Sequence, residues 1–211
     1  MGIDHVEVVP NGVDTTYFTP SKSPTTTVYL LFTGTMNYEP NIEAARFLAA
    51  DILPLIHKKF CFTKLHVVGM KPSKEVLNLA SDQIVVHGAV PDVRPYFQEA
   101  DVYIAPLLHG GGTRLKILEA AASGKAIVST AFAFEGLSFV PGNDLLVADS
   151  ATEFASAVTD LIENEDKKQH LGFKARQVST CYDWDKIGSS FRTLIERIAG
   201  KFDYSKGYDM K

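Results

Sequence analysis

Pro106-Leu107-Leu108-His109-Gly110-Gly111-Gly112-Thr113-Arg114-Leu115-Lys116-Ile117-Leu118-Glu119-Ala120-Ala121-Ala122-Ser123-Gly124 reads as a strand end, a glycine-rich turn, a helix and a stop. Successive glycines allow positive φ and close backbone approach, so several N–H groups can converge on an anion. A helix opens behind them with Thr113 placed to cap it, and its free amides and positive dipole end add to the attraction for phosphate. Glu119 follows six residues after Thr113, about 9 Å along a helix axis, a reach that suits the ribose of a bound nucleoside diphosphate. Leu115, Ile117, Leu118, Ala121 and Ala122 cover too much of the circumference for an exposed amphipathic helix. A carboxylate embedded among them needs a partner: either ligand hydroxyls, or Lys116 one turn earlier.

At 211 residues the chain is long enough for one large domain. Its 45% hydrophobic and 22% charged content is that of an ordinary globular protein. A net charge of −4 argues against nonspecific nucleic-acid binding, which draws on clustered Lys and Arg. Cys61 and Cys181 lie far apart and in no metal-ligand spacing, which points to a reducing, cytoplasmic setting. No apolar run approaches the roughly 20 residues of a membrane span.

Outward from the glycine turn, short apolar runs alternate with helical stretches. Strands are expected at Val28 to Phe32, Leu65 to Gly69, Ile84 to Gly88, Val102 to Ala105, Ala126 to Ser129 and Leu145 to Val147. Helices are expected at Asn41 to His57, Ser73 to Ala80 and Val93 to Glu99, and again at Glu153 to Glu163, Lys167 to Val178 and Asp185 to Ile198. The alternation predicts an α/β fold: a Rossmann-like, doubly wound, parallel six-stranded sheet with helices on both faces and extra C-terminal helices. Residues 1–199 form one domain in this reading, with 1–27 as a lead-in strand and connector, and 200–211 as a frayed tail. Val6 to Asp14 has no earlier element to pair with, so the chain is expected to start inside a larger protein. Ligands of such sheets sit beyond the carboxyl ends of the strands where strand order reverses. Gly34-Thr35, Gly69, Gly88 and Gly110 to Gly112 all follow strands, as close approach to one ligand requires.

In order and spacing these segments resemble the carboxyl-terminal, nucleotide-sugar-binding half of retaining GT-B glycosyltransferases. The likeness runs from Val9-Pro10-Asn11-Gly12-Val13-Asp14 through Phe32-Thr33-Gly34-Thr35-Met36 and His87-Gly88-Ala89-Val90-Pro91-Asp92-Val93. It continues through Ala100 to Pro106, Gly110 to Gly124 and Glu135-Gly136-Leu137 to Tyr182-Asp183-Trp184. The resemblance implies a donor site in which Glu119 holds the ribose hydroxyls, backbone around His87, Gly88 and Val90 meets the base, and Gly111, Gly112 and Thr113 meet the diphosphate. Gly34 and Thr35 belong to the same site. Arg114 and Lys116 are the catalytic cations toward the diphosphate, against the alternative of solvated helix charges, and Lys71 stands behind them. The substrate is a nucleoside diphosphate-sugar, with no cofactor and no metal expected. The partner is an amino-terminal acceptor domain, absent here, through which any membrane association would come.

Two departures from the family pattern stand out. Gly111 occupies the place, eight residues before Glu119, where the family often carries a first Glu. Thr35 to Asn41 lacks the Arg and Lys common in the first strand-to-helix loop. A non-catalytic nucleotide-sugar-binding module and one half of a nucleotide-sugar epimerase are therefore the competing readings, although the run from Arg114 to Gly124 favours transfer. Other groups are weaker candidates: His109 beside the glycines, Glu135-Gly136 toward the sugar, Asp92 and Asp101 as element starts, and Tyr182 with Trp184 as staples of the terminal helices.

Overall fold

Six strands, all parallel, form one sheet in the order β3-β2-β1-β4-β5-β6. They are β1 (Tyr29–Thr33), β2 (Lys64–Val68), β3 (Ile84–Gly88), β4 (Val102–Ala105), β5 (Ala126–Ser129) and β6 (Leu146–Val147). The structure, a computed structural model, describes residues 6–21 and 27–199. The expected tail, and part of the expected connector, lie outside those residues.

Burial explains the sheet. Leu30, Leu31 and Phe32 of β1 and every residue of β4 and β5 are buried, as apolar strands covered on both faces must be. The edge strands β3 and β6 are only partly covered. Around the sheet run α1 (Glu39–Phe47), α2 (Leu53–His57), α3 (Lys74–Leu77), α4 (Arg94–Glu99), α5 (Leu115–Ala122), α6 (Ala151–Glu163), α7 (Glu165–Ser179) and α8 (Trp184–Ala199). The single helix expected at 41–57 is α1 and α2 joined by a π-helical segment, Leu48–Ile52. Pro54 lies in the first turn of α2 and removes one N–H from the ladder at that join.

Among the described residues of the expected lead-in, none forms a strand. Val6 to Gly12 joins no strand, and Val13 makes one bridge to Asp183, with its N–H on Tyr182 O at 2.9 Å. Arg176 of α7 holds the following turn, donating to Thr15 O, Phe18 O and Ala122 O. Tyr182 is buried and its hydroxyl bonds Ser138, so it does staple the C-terminal part to the core, whereas Trp184 is exposed.

Strand order reverses between β1 and β4, the two central strands. The loops that leave their carboxyl ends therefore diverge, and the cleft between them is where the candidate site lies.

Candidate donor site at the sheet's switch point

A cleft of about 780 Å³ opens there, lined by segments following β1, β2, β3 and β4 and by the start of α5. Its floor is tight. Gly34 N donates to Val68 O at 3.1 Å and Gly69 N to Gly88 O at 3.0 Å, which draws three strand ends together. A Cβ at Gly69 would fall 1.6 Å from Gly34 O, so only glycine fits. Beneath them Thr33 Oγ1 and the buried Tyr103 hydroxyl bond at 2.9 Å, and burial pushes the Tyr103 phenol well above its ordinary pKa.

The glycine turn forms one wall. Gly110 and Gly112 take φ of 128° and 96°, values that favour glycine. Gly111 N–H donates to the Tyr38 hydroxyl at 3.0 Å, and His109 Nε2 lies 2.5 Å from Glu43 Oε2, so two contacts tie the turn to α1. The amides of Gly112, Thr113 and Arg114 have no hydrogen-bond partner among the described residues. Thr113 does not cap α5: the N-cap residue is Arg114, and the Thr113 hydroxyl accepts from Asn11 Nδ2 at 2.9 Å. At the other end Gly124, φ 67°, closes the helix with Gly124 N on Ala121 O and Lys125 N on Ala120 O.

Three charged side chains of α5 and its cap face the cleft. The Glu119 carboxylate makes no hydrogen bond or ion pair among the described residues, and burial pushes its pKa up to about 7 against the opposing Lys116 charge. Lys116 Nζ donates to Asn41 Oδ1 at 2.6 Å and sits 4.8 Å from the centroid of the Phe32 ring. Burial pulls its pKa down to about 7, with Arg114 adding to the effect and Glu119 opposing it. Arg114 stacks its guanidinium 4.3 Å from the Phe132 ring and lies 3.6 Å from Glu135 Oε2. Glu135 is thus placed beside a cleft cation, outside the lining itself.

Of the residues read from sequence, Gly34, Thr35, Val90, Gly111, Thr113, Arg114, Lys116 and Glu119 come together along this cleft. Gly112 lies in the turn without lining it. His87 and Gly88 lie outside the lining, which takes Ala89, Val90 and Val93 instead. β3 continues through Gly88, so His87 is still within the strand. Its ring packs 4.9 Å from His66 and 4.5 Å from Tyr96, with burial lowering its pKa. Asn41 and Tyr38 were not anticipated. Asn41 had a signal: it stands at the head of a helical stripe with Ala44, Ala45 and Leu48, where a polar residue must be buried. Among the described residues no three His, Cys, Asp or Glu side chains gather in a metal-binding group, and no helix is long and apolar enough to cross a membrane.

Sheet order, switch-point cleft and glycine turn together define a Rossmann-like domain of the type that makes up half of a GT-B glycosyltransferase. A profile for "Glycosyl transferases group 1" matches residues 27–164, and the chain belongs to that family. It is 29% identical over 213 residues to a phosphatidyl-myo-inositol mannosyltransferase of Mycolicibacterium smegmatis, covering 95% of this chain and 54% of that protein. The chain thus spans about half the length of that relative. Among solved structures it resembles a sucrose-phosphate synthase of Thermosynechococcus elongatus, with TM-score 0.75 and 18% identity, over 93% of this chain and 53% of that one. The C-terminal domain of a glycosyl transferase group 1 protein of Francisella tularensis aligns over 82% of this chain and 100% of its own length, with TM-score 0.64 and 18% identity. An Anabaena protein solved with UDP and glucose aligns with TM-score 0.71 and 12% identity, over 92% of this chain and 56% of that one.

Proposed function

We propose that this chain is the donor-binding half of a retaining glycosyltransferase that takes a sugar from a nucleoside diphosphate, in the synthesis of a bacterial polysaccharide or glycoconjugate. The observation that carries the reading is Glu119: a carboxylate in an apolar helix, unpaired among the described residues and facing a cleft large enough for a nucleotide. Ribose hydroxyls donating to it supply the partners that the protein does not. The diphosphate then lies against the amides at the glycine turn, with Lys116 and Arg114 as its cations. Transfer breaks the bond between the anomeric carbon and the diphosphate oxygen, leaves that electron pair on the diphosphate, and forms a bond from the same carbon to an acceptor hydroxyl oxygen, whose proton passes to the departing diphosphate. Amides and cations already in place offset that charge without a divalent metal.

An amino-terminal domain supplies the acceptor in this reading. By itself the chain binds nucleotide and transfers little. The Anabaena neighbour's UDP supports a nucleoside diphosphate as the ligand. A thermal-shift panel of uridine, guanosine and adenosine diphosphates tests the site: one of them raises the melting temperature in a concentration-dependent way. No shift from any of the three, with calorimetry also flat, overturns the proposal. Joined to its amino-terminal half, the enzyme hydrolyses or transfers from the corresponding sugar nucleotide; binding without turnover returns the chain to a non-catalytic module.

A further inference from the structure

Asn41 is a buried amide whose two ends are both used across the switch point. Its Nδ2 donates to Thr35 O at 2.9 Å in the loop after β1, and its Oδ1 accepts from Lys116 Nζ at 2.6 Å on α5. We propose that Asn41 is a positioning residue: it aims the Lys116 ammonium at the diphosphate of the bound nucleotide from the β1 side of the cleft.

Three features of the surroundings support this. The lysine has one neutral acceptor and no carboxylate partner among the described residues, so its charge is steered without being neutralised and its other N–H groups stay available. Gly34 keeps the space open: a Cβ there would lie 2.8 Å from Asn41 Nδ2 and 3.0 Å from Lys116 Nζ. Phe32 lies beneath the ammonium and offers a ring face that favours a cation yet cannot pair with it. A long flexible side chain thereby gains a fixed direction before the ligand arrives, which removes part of the ordering cost of binding.

The inference rests on the donor-site reading, and the experiment separates the two. Wild type, Asn41→Ala, Asn41→Asp, Lys116→Met and Asn41→Ala/Lys116→Met are titrated calorimetrically with whichever of uridine, guanosine or adenosine diphosphate stabilises the wild type, and with the matching nucleoside, across pH 6 to 9. Asn41→Ala should weaken the diphosphate about tenfold and leave the nucleoside unchanged, the scale of one hydrogen bond to a charged group. The double variant should be no weaker than Lys116→Met alone, since Asn41 acts through the lysine. The groups facing that ammonium are Glu119 and Arg114 on α5, with the Asn41 amide opposite. Loss of the amide acceptor therefore moves the alkaline fall in affinity to lower pH. Asn41→Asp keeps the shape, puts a carboxylate beside the ammonium and moves that fall to higher pH; it decides the matter if the alanine variant does not fold. Equal losses for nucleoside and diphosphate, additive effects in the double variant, or a pH limb that neither variant moves would overturn the role of Asn41 while leaving the donor site standing. A wild type that binds none of the three nucleotides overturns both.

Discussion

Lys116 and Glu119 stand one turn apart on α5 and do not pair: the ammonium bonds Asn41 at 2.6 Å, and the carboxylate has no hydrogen-bond partner among the described residues. Opposite charges at this spacing usually meet on a helix surface. Here each is turned into the cleft and burial disfavours each charge, so both carry a pKa of about 7. Near pH 7 each is only partly charged, and a ligand that paired with either would return its pKa toward the ordinary value.

That arrangement sets the pH dependence of stability. The carboxyl of Glu119 is raised from 4.5 to about 7, so the folded chain holds the extra proton between those values. Its contribution is full below pH 4.5 and is lost as pH rises through 7. The ammonium of Lys116 is lowered from 10.5 to about 7, so above pH 7 the unfolded chain holds more protons and stability rises toward pH 10.5. Together they put a minimum near pH 7, with limbs of a few kcal/mol at most. Urea titrations at closely spaced pH values should show Glu119→Gln flattening the acidic limb and Lys116→Met the alkaline one. Limbs unchanged by either substitution would place these pKa values at their ordinary positions.

Glu119→Gln separates stability from function. The amide keeps the shape and removes a buried charge, so at pH 8 the variant should melt a few degrees higher, for about 1 kcal/mol. If Glu119 holds the ribose, the amide would accept from one hydroxyl where the carboxylate would take two, so nucleoside diphosphate affinity should fall at least about tenfold. A variant that binds as tightly as wild type would remove Glu119 from the site.

Two glycines of the floor should fail differently when changed to alanine. At Gly69 the new Cβ meets backbone, 1.6 Å from Gly34 O, and three strand ends would have to separate. More than about 3 kcal/mol should be lost, or the fold altogether. At Gly34 the obstacles are the side chains of Asn41 and Lys116, which can move. Gly34→Ala should therefore fold with a loss of about 1 kcal/mol, while losing diphosphate affinity as Asn41→Ala does. Equal stability losses at the two positions would contradict the contacts described.

Much of this was legible in the residues because burial leaves a plain mark. Strands covered on both faces, such as Leu30 to Phe32 and Ala126 to Val128, read as unbroken apolar runs, and helices between them imply parallel pairing. Glu119 stood out for the same reason, as a charge in a helix apolar all round. What failed depended on single-residue placement. The strand expected at Ile84 to Gly88 is β3 itself, but the strand pattern alone does not tell that the His87 ring packs against His66 and Tyr96, outside the cleft lining. Thr113 reads as a cap, yet α5 begins after Arg114. Val6 to Val9 has strand-forming residues, but β-propensity without a sheet edge to join makes no strand. The Asn41 to Lys116 bond spans 75 residues, and no local pattern announces a contact of that range.

Ile187 of α8 is buried, whereas Trp184, Phe191, Ile195 and Ile198, at spacings that place them along one side of the helix, are exposed. The carboxyl half of the helix thus shows an apolar stripe to solvent, and Arg197 near its end pairs with Glu7 of the amino-terminal segment. If that stripe docks on the amino-terminal half of the enzyme, Phe191→Glu with Ile195→Glu should leave this chain's own stability within about 0.5 kcal/mol, because no packed contact is lost. In the joined enzyme the same pair should lower transfer from the sugar nucleotide without changing nucleotide affinity, since the cleft of β1, β4 and α5 is untouched. A loss above about 2 kcal/mol in the isolated chain would mean the stripe belongs to its own core. Unchanged transfer in the joined enzyme would mean that the two halves meet elsewhere.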